Sequence, residues 1–293
     1  MNIACIPAYN EEVKIKDVVK RALPHVDRVI VCDDGSTDNT KTEAKKAGAI
    51  VISHKTNLGY GAAISTLFDY SRKNNAEIMV TLDGDGQHNP DQIPDLTNVI
   101  LEHNVDVVIG SRSLKDDNDL PSYRKTGIKI ITATINSATN LKVTDSQSGF
   151  RAYSRTAIDL IHPSETGMAV STEILLNVSN NGLSIAEVPI TVSYSGNTST
   201  EHPVKHGSHV IASTLKYVSI KHPMYFYGLP GIIIFISGLI MGVSFLDGYL
   251  DPNEPSVLYG LMLGSIISIL LGSLMIITSI LLFSMANLVR GTR

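Results

Sequence analysis

Ile78-Met79-Val80-Thr81-Leu82-Asp83-Gly84-Asp85-Gly86-Gln87 is the stretch of sequence that decides the fold. Its first half is an apolar run of the length typical of a buried strand. Its second half places two carboxylates, Asp83 and Asp85, where that strand ends. Such a pair can bind a hard divalent cation, and the cation can bind a diphosphate. An EF-hand is excluded, because its sixth and twelfth positions hold His88 and Pro94; a solvated Asp-Gly turn remains the alternative.

Short apolar runs alternate with helical patterns on both sides of this stretch. We expect strands at 2–6, 29–32, 50–52, 78–82 and 105–110, and helices at 11–23, from 37 or 38 to 47, at 59–72 and from Pro90 onward. Further along, helices are expected at 121–138 and 170–180, a loop and strand over 145–153, and a strand at 184–192. The alternation predicts an α/β fold with a doubly wound, mostly parallel sheet.

Polar clusters follow four of these strands, at residues 8–11, 33–36, 83–85 and 110–112. Ligands of doubly wound sheets bind beyond the carboxyl ends of the strands. The four clusters are therefore expected to meet at one edge. Each cluster alone has a structural alternative, because a carboxylate after a strand can simply cap a helix or favour its dipole. The glycines around Asn57 to Gly61 do not form a dinucleotide fingerprint, since the third glycine is missing and strand three precedes them.

The C-terminal part of the chain has a different composition. Between Pro223 and Val289 the charged residues are all acidic: Asp247, Asp251 and Glu254. Residues of about 229–246 and 257–283 are apolar over the length needed to span a bilayer. Basic residues flank the pair: Lys216, Lys221, Arg290 and Arg293. The positive-inside rule then places the N-terminal body and both termini in the cytoplasm, with a two-helix hairpin in the cell membrane.

Composition and the N-terminal sequence limit which other classes of protein the chain can belong to. The net charge of −4 gives no basic patch for nucleic acid. Cys5 and Cys32 lie in predicted strands and are expected to be reduced structural thiols. No basic segment followed by an apolar run opens the chain, so no signal peptide is expected. We expect three regions: a catalytic body at 1–205, a juxtamembrane interfacial segment at 206–227, and two transmembrane helices within 228–289.

Six motifs occur in a fixed order along residues 2–195. They are Ile6-Pro7-Ala8-Tyr9-Asn10-Glu11-Glu12, Asp33-Asp34-Gly35-Ser36-Thr37-Asp38, Asn57-x-Gly59, Asp83-x-Asp85-x-Gln87, Gly110-Ser111-Arg112 and Ser148-Gly149-Phe150-Arg151. The set resembles the family 2 inverting glycosyltransferases, which have the Rossmann-like GT-A fold. Within that family it is most similar to the polyprenyl-phosphate sugar synthases, such as dolichyl-phosphate mannose and glucose synthases.

The resemblance implies a role for each matching residue. The nucleoside would be held by Pro7, Tyr9, Glu11 and Asp34, and a Mg²⁺ or Mn²⁺ ion with the diphosphate by Asp83, Asp85 and Gln87. Arg112, Arg124 and Arg151 would lie around the donor and acceptor phosphates, and Glu173 matches an acidic position of uncertain role, either a base or a residue that orients an arginine. Lys205 stands where many relatives have an Arg-rich loop, but here it opens the histidine-rich Lys205-His206-Gly207-Ser208-His209.

The expected activity is transfer of a single hexose from UDP-glucose, UDP-N-acetylglucosamine or GDP-mannose to dolichyl or polyprenyl phosphate with inversion. The product would supply protein glycosylation or cell-envelope glycans. The chain is not expected to synthesise a polysaccharide, because the processive members of the family carry a Gln-x-x-Arg-Trp signature and this chain has no tryptophan. Two alternatives remain: a hydroxyl-bearing lipid acceptor, or a catalytically silent subunit that binds nucleotide sugars. The expected partners are the donor, the lipid acceptor and the bilayer; a homo-oligomer is left open.

Overall fold

The structure is a computed structural model that describes residues 1–114, 122–139, 141–193, 223–250 and 255–291. The chain divides into two compact units, Met1–Thr214 and Leu215–Arg293. The predicted loop at 194–207 lies outside the described residues, as does the interfacial segment apart from its last residues.

Seven strands form the sheet of the first unit. They are β1 (Asn2–Ala8), β2 (Arg28–Asp33), β3 (Ile50–Ser53), β4 (Ile78–Thr81), β5 (Val107–Ser111), β6 (Arg151–Ser154) and β7 (Ile185–Pro189). Their order across the sheet is β3-β2-β1-β4-β6-β5-β7. Only β6 among them runs against its neighbours, β4 and β5. The prediction of a mostly parallel sheet is confirmed.

The helices of the first unit cover both faces of this sheet. They are α1 (Ile15–Ala22), α2 (Thr40–Lys46), α3 (Tyr60–Lys73), α4 (Ile93–His103), α5 (Ser122–Thr139), α6 (Arg155–Leu160) and α7 (Val170–Asn180). Strand β1 shows the two-sided packing, because side chains alternate along a strand. Ala4 and Ile6 belong to the core under α1, whereas Ile3 and Cys5 belong to the core under α3. The doubly wound arrangement follows from this alternation.

The chain order of the strands reverses beside β1. Strands β2 and β3 follow on one side of β1, and β4 lies on the other. A crevice at such a switch point is the usual ligand site of an α/β sheet. The loop after β1 and the Asp-Gly-Asp-Gly-Gln turn after β4 flank this point. The fold therefore brings together the ends of strands one and four, as the sequence predicted.

Two element boundaries differ from the sequence prediction near the switch point. Strand β1 runs on through Pro7, which pairs only with Cys32 of β2, because β4 ends opposite Cys5. A proline without an N–H is acceptable where a strand has one partner. Helix α1 begins at Ile15 rather than at Glu11, since residues 11–14 form a turn in which the Lys14 N–H donates to the Glu11 carbonyl.

The second unit contains two long apolar helices, α8 (Leu229–Leu250) and α9 (Pro255–Gly291). A π-helical turn, Met224–Gly228, precedes α8. Met224–Asp247 and Tyr259–Met285 are long and apolar enough to cross a membrane, judged by length and composition. Small residues line the contact between the helices: a methyl group at Gly272 would lie 2.6 Å from the Phe235 nitrogen. This packing is typical of helix pairs in membranes.

Candidate active site

Asp83 lies at the centre of the candidate site, two residues after the end of β4. Its side chain is half-buried, and Oδ1 accepts a hydrogen bond from the Tyr60 hydroxyl at 3.1 Å. Its backbone N–H donates to Nδ1 of His88 at 3.3 Å. Burial lowers the pKa of His88, so this ring is a neutral acceptor. Burial and the charge of Asp83 raise the pKa of the Tyr60 hydroxyl well above its usual range, which keeps it protonated as a donor.

Asp85 and Glu11 complete a group of carboxylates around Asp83. Oδ1 of Asp85 accepts from the Gln87 N–H at 2.9 Å, which fixes the turn. Burial and the charge of Asp83 raise the pKa of Asp85 to about 6. Burial, followed by the charges of Asp85 and Asp83, raises the pKa of Glu11 to about 7. The fold therefore gathers negative charge that water does not fully solvate, which is the environment a cation stabilises.

The side-chain oxygens of Asp83, Asp85 and Gln87 suit a hard divalent cation that takes its other ligands from a substrate. Within the described ranges, no group of three or more His, Cys, Asp or Glu side chains is arranged to hold a metal by itself. Mg²⁺ at nucleotide sites is usually bound through one or two carboxylates plus substrate phosphates. Asp83 and Asp85 provide such a pair, and the half-buried Gln87 side chain lies beside them. These residues fit the metal that the sequence predicts.

The residues expected to hold the nucleoside lie at the ends of β1 and β2. Tyr9 follows β1 and is 37% exposed, so its ring is accessible for stacking, whereas Pro7 is buried inside the strand. The two loops are tied together, because Asn10 accepts from the Thr37 N–H at 2.9 Å and the Glu11 N–H donates to Thr40 Oγ1 at 2.7 Å. The candidate nucleoside site is therefore built from the segments that follow β1 and β2.

Asp34 is buried and fully engaged with protein groups. Its carboxylate accepts from the backbone N–H groups of Leu58 and Gly59, at 2.9 and 2.8 Å, and lies 2.6 Å from Nδ1 of His54. Gly59 has a φ of +102°, a conformation that favours glycine. Asp34 thus holds the loop that leads into α3. Its contact with a nucleoside stays a prediction.

Arg112, at the end of β5, forms a two-pronged ion pair with Asp145. Nε and Nη2 lie 2.6 and 2.9 Å from the two carboxylate oxygens. Burial works to raise the pKa of Asp145, but the hydrogen bonds and charge of Arg112 hold it below its usual range. Glu187 on β7 accepts from the Thr144 and Asp145 N–H groups and so supports the loop from the other side. Arg112 is held rigidly at the predicted edge of the sheet.

Arg151 is buried and engaged with backbone carbonyls. Its side chain is 1% exposed, and its guanidinium donates to the backbone carbonyls of Ser148, Ser146 and Ser171, at 2.8, 2.7 and 3.2 Å. These bonds direct one N–H of each of its three nitrogens at a backbone carbonyl. Arg151 thus joins the loop before β6 to the start of α7, and its place near the donor and acceptor phosphates stays a prediction.

Glu173 is also engaged with the protein. Its carboxylate accepts from the Ser164 and Glu165 N–H groups, both at 2.9 Å, and from the Ser164 hydroxyl. The same loop touches the start of α3, because the Thr166 carbonyl accepts from the Gly61 N–H at 2.8 Å. The contacts describe an anchor for this loop, and a role as a base stays a prediction. Arg124 lies on α5 with its side chain outside the described residues, and Lys205 is outside them altogether.

Four residues of this site were not predicted as functional from sequence: Tyr60, His88, Asp145 and Gly149. Tyr60 lies inside the glycine cluster that failed as a dinucleotide fingerprint, and Gly149 lies inside a motif quoted for its arginine. Their positions depend on contacts between loops far apart in sequence, which no local pattern specifies.

The chain is similar to known proteins over most of its length. The family model described as "Glycosyl transferase family 2" matches residues 3–161. The chain is 35% identical over 231 residues to a UDP-N-acetylglucosamine–dolichyl-phosphate N-acetylglucosaminyltransferase of Methanococcus voltae, covering 70% of this chain and 89% of the relative. It is 30% identical over 203 residues to a polyprenol monophosphomannose synthase of Mycolicibacterium smegmatis, covering 64% and 76%.

Solved structures show the same fold. Glucosyl-3-phosphoglycerate synthase from Mycobacterium tuberculosis, in complex with Mn²⁺ and UDP-glucose, superposes with a TM-score of 0.59. The sequences are 24% identical, and the match covers 74% of this chain and 78% of that chain. At this identity the likeness supports the GT-A architecture alone.

Proposed function

The chain belongs to glycosyl transferase family 2, and from this we propose that it transfers one sugar from a UDP-sugar to a polyprenyl phosphate at the cytoplasmic face of a membrane. The observation that carries the proposal is the group of Asp83, Asp85 and Glu11 at the switch point of the sheet. The two apolar helices support a membrane-borne acceptor. The Methanococcus voltae relative, named for UDP-N-acetylglucosamine and dolichyl phosphate, supports the choice of substrates.

On the donor side, the carboxylates of Asp83 and Asp85 would hold a Mg²⁺ or Mn²⁺ ion together with Gln87. When bound, the cation neutralises the charge that develops on the leaving nucleoside diphosphate. Tyr9, with its accessible ring, would stack on the base, and Arg112 would bring a fixed positive charge to the phosphates. Asp145 keeps that guanidinium in one orientation, which reduces the reorganisation needed during transfer.

On the acceptor side, a phosphate oxygen attacks the anomeric carbon while the bond from that carbon to the diphosphate breaks. The leaving nucleoside diphosphate takes the bonding electron pair, and in-line attack inverts the anomeric centre. A phosphate monoester has a second pKa of about 6, so it is largely dianionic at pH 7. The acceptor then needs positioning cations rather than a general base. The engagement of Glu173 with backbone N–H groups agrees with such a reaction.

The product would supply lipid-linked sugar for protein glycosylation or cell-envelope glycans. The test uses the full chain in detergent, with labelled UDP-N-acetylglucosamine, UDP-glucose and GDP-mannose offered against dolichyl phosphate. We expect a labelled lipid that mild acid hydrolyses, as a glycosyl phosphate does. An acid-stable product would instead indicate a hydroxyl acceptor, and donor binding without turnover on any lipid phosphate would indicate a silent subunit.

Asp85→Ala should lower transfer by at least about 100-fold, because it removes one carboxylate from the diphosphate end of the site. Asp95→Ala is the matched control, since Asp95 is an exposed residue in the first turn of α4. Full activity of Asp85→Ala in the presence of a chelator would exclude the metal role of this residue.

A further inference from the structure

The hydroxyl of Tyr60 has a position set by packing and a single carboxylate partner. Tyr60 is the first residue of α3, and its ring packs against the core on that face of the sheet. From there the hydroxyl donates to Asp83 Oδ1 at 3.1 Å. An anchored ring with one polar tip directed at a carboxylate can fix the rotation of that carboxylate. The roles proposed above for the site residues do not account for this hydrogen bond.

Gly149 makes the contact possible. A methyl group at this position would lie 2.9 Å from both the Tyr60 hydroxyl oxygen and Asp83 Oδ1, and 3.0 Å from Oδ2. Real Cβ atoms do not approach oxygen atoms this closely without displacing them. The backbone of Gly149 is held in place, because Thr81 Oγ1 donates to its carbonyl at 2.8 Å. The loop before β6 thus passes directly against the Tyr60–Asp83 pair.

The second oxygen of Asp83 has a different environment. The nearest ring nitrogen, Nδ1 of His88, lies 3.5 Å from Oδ2 and 3.3 Å from the Asp83 N–H. A nitrogen that accepts that N–H has no proton to give to Oδ2. No hydrogen-bond donor to Oδ2 occurs among the residues that the structure describes. One oxygen is therefore fixed by the protein and the other is left for an external ligand.

We propose that Tyr60 is a positioning residue that holds Asp83 Oδ1, with Gly149 leaving the space for it, so that Oδ2 is presented to the divalent cation of the donor site. The proposal rests on the proposed function, because it assumes that Asp83 binds a cation bridged to a nucleoside diphosphate. Tyr60 acts through Asp83 and does not itself touch the substrate. Groups that orient metal ligands in this way typically contribute about 10–100-fold to metal affinity or activity.

The experiment measures Mn²⁺ binding to the full chain in detergent with UDP present, by the electron paramagnetic resonance signal of free Mn²⁺. Tyr60→Phe should weaken Mn²⁺ binding by about 10–100-fold. Tyr70→Phe is the matched control, because Tyr70 lies on the same helix and is also half-buried; its affinity should equal that of the wild type. In an Asp83→Asn background, Tyr60→Phe should have no further effect, since the two residues act as a unit.

A second readout separates positioning from a general loss of structure. The Mn²⁺ concentration for half-maximal transfer should rise in Tyr60→Phe, and saturating Mn²⁺ should restore the activity. If Tyr60→Phe does not fold, Gly149→Ala tests the same contact, with Gly127→Ala as its control, because a methyl group at Gly127 meets nothing within 4 Å.

The outcomes distinguish this inference from the proposed function. Wild-type protein that binds UDP equally with and without Mn²⁺ would overturn the metal-assisted donor site, and the inference with it. The inference alone would be overturned if UDP binding by the wild type requires Mn²⁺ and Tyr60→Phe binds Mn²⁺ as tightly as the wild type. Where Tyr60→Phe is unfolded, unchanged Mn²⁺ affinity in Gly149→Ala would have the same meaning. An Asp83→Asn background in which Tyr60→Phe still weakens binding would also overturn it.

Discussion

At the scale of single residues, Glu11 and Asp85 are the carboxyl groups, among the described residues, whose pKa values the fold raises to near neutral pH. Their pKa values are raised to about 7 and about 6, against ordinary values of about 4.3 and 3.9 in an unfolded chain. Between about pH 4 and pH 7 the folded protein therefore binds more protons than the unfolded one. The free energy of unfolding falls as pH rises through this window, because burial and mutual repulsion disfavour the charged carboxylates.

This protonation predicts a pH-dependent stability without metal. In the presence of a chelator, the melting temperature of the wild type should fall as the pH rises from 5 to 7.5. The melting temperature of Glu11→Gln should fall less over the same range. Glu43→Gln is the control, because hydrogen bonding to Lys46 lowers the pKa of Glu43, the opposite direction to that of Glu11. Added Mn²⁺ should raise the melting temperature more at pH 7.5 than at pH 5, because protons compete for the ligands. Identical slopes for wild type and Glu11→Gln would contradict the prediction.

Single residues also show what sequence alone can predict of the site. Asp83 and Asp85 could be placed at the edge of the sheet, because a strand end fixes where its next residues lie. The direction of the Arg151 side chain could not be predicted. Arg151 belongs to one of the six motifs, yet its side chain points into the protein, where three backbone carbonyls accept hydrogen bonds from it. Which way an arginine points depends on loops at residues 146–148 and 171, and their approach is a tertiary property.

At the scale of elements, the start of α3 and the loop at 163–167 form one structural unit. A methyl group at Gly61 would lie 2.1 Å from the Glu165 carbonyl, so the loop backbone is packed directly on the helix. Glu173 on α7 holds that loop through two backbone N–H groups. Because Tyr60 lies between Gly59 and Gly61, this unit also supports the residue that contacts Asp83.

The anchoring role of Glu173 can be separated from a role as a base. Glu173→Gln should lower the free energy of unfolding by about 1–3 kcal/mol, since it removes charge-assisted hydrogen bonds to the loop. The pH profile of the remaining transfer activity should keep its wild-type shape. Denaturant unfolding and a pH–rate series measure the two quantities. Glu165→Gln, an exposed neighbour in the same loop, is the control. Loss of the acidic limb of the profile with unchanged stability would identify a base.

Elements differ in how far local sequence specifies them. Helix α7 is at Val170–Asn180, where its apolar pattern predicted it, because that pattern reports directly on a buried face. The antiparallel direction of β6 between β4 and β5 was not predicted. An apolar run has the same appearance in either direction, and its direction is set by the length of the connections on both sides. The start of α1 was misplaced for a related reason, since the Glu11 N–H donates to Thr40 at the start of α2, far away in sequence.

At the scale of the whole molecule, the chain combines a sheet-based body with an apolar helix pair. In the body, several buried polar residues lie at strand ends, among them Asp33, Asp34 and Ser111; in the helix pair, large apolar side chains are exposed along both helices. Ile233, Leu239, Leu263 and Leu270, for example, are each about half exposed or more, which water does not favour and lipid does. This exposure favours a membrane environment for the helix pair over a second hydrophobic core in water.

The charge pattern around the helix pair predicts its orientation. The connection at 251–254 contains acidic residues and no lysine or arginine, whereas Arg290 and Arg293 follow the second helix. The positive-inside rule therefore predicts that the connection faces outside and the N-terminal body faces the cytoplasm. In intact cells, Asn253→Cys should react with a membrane-impermeant maleimide, and Thr292→Cys should react only after permeabilisation. The native thiols do not interfere, because Cys5 and Cys32 are buried and burial raises their pKa values to about 12. Labelling of Thr292→Cys in intact cells, with Asn253→Cys protected, would reverse the orientation and place the donor site on the wrong side for a cytoplasmic nucleotide sugar.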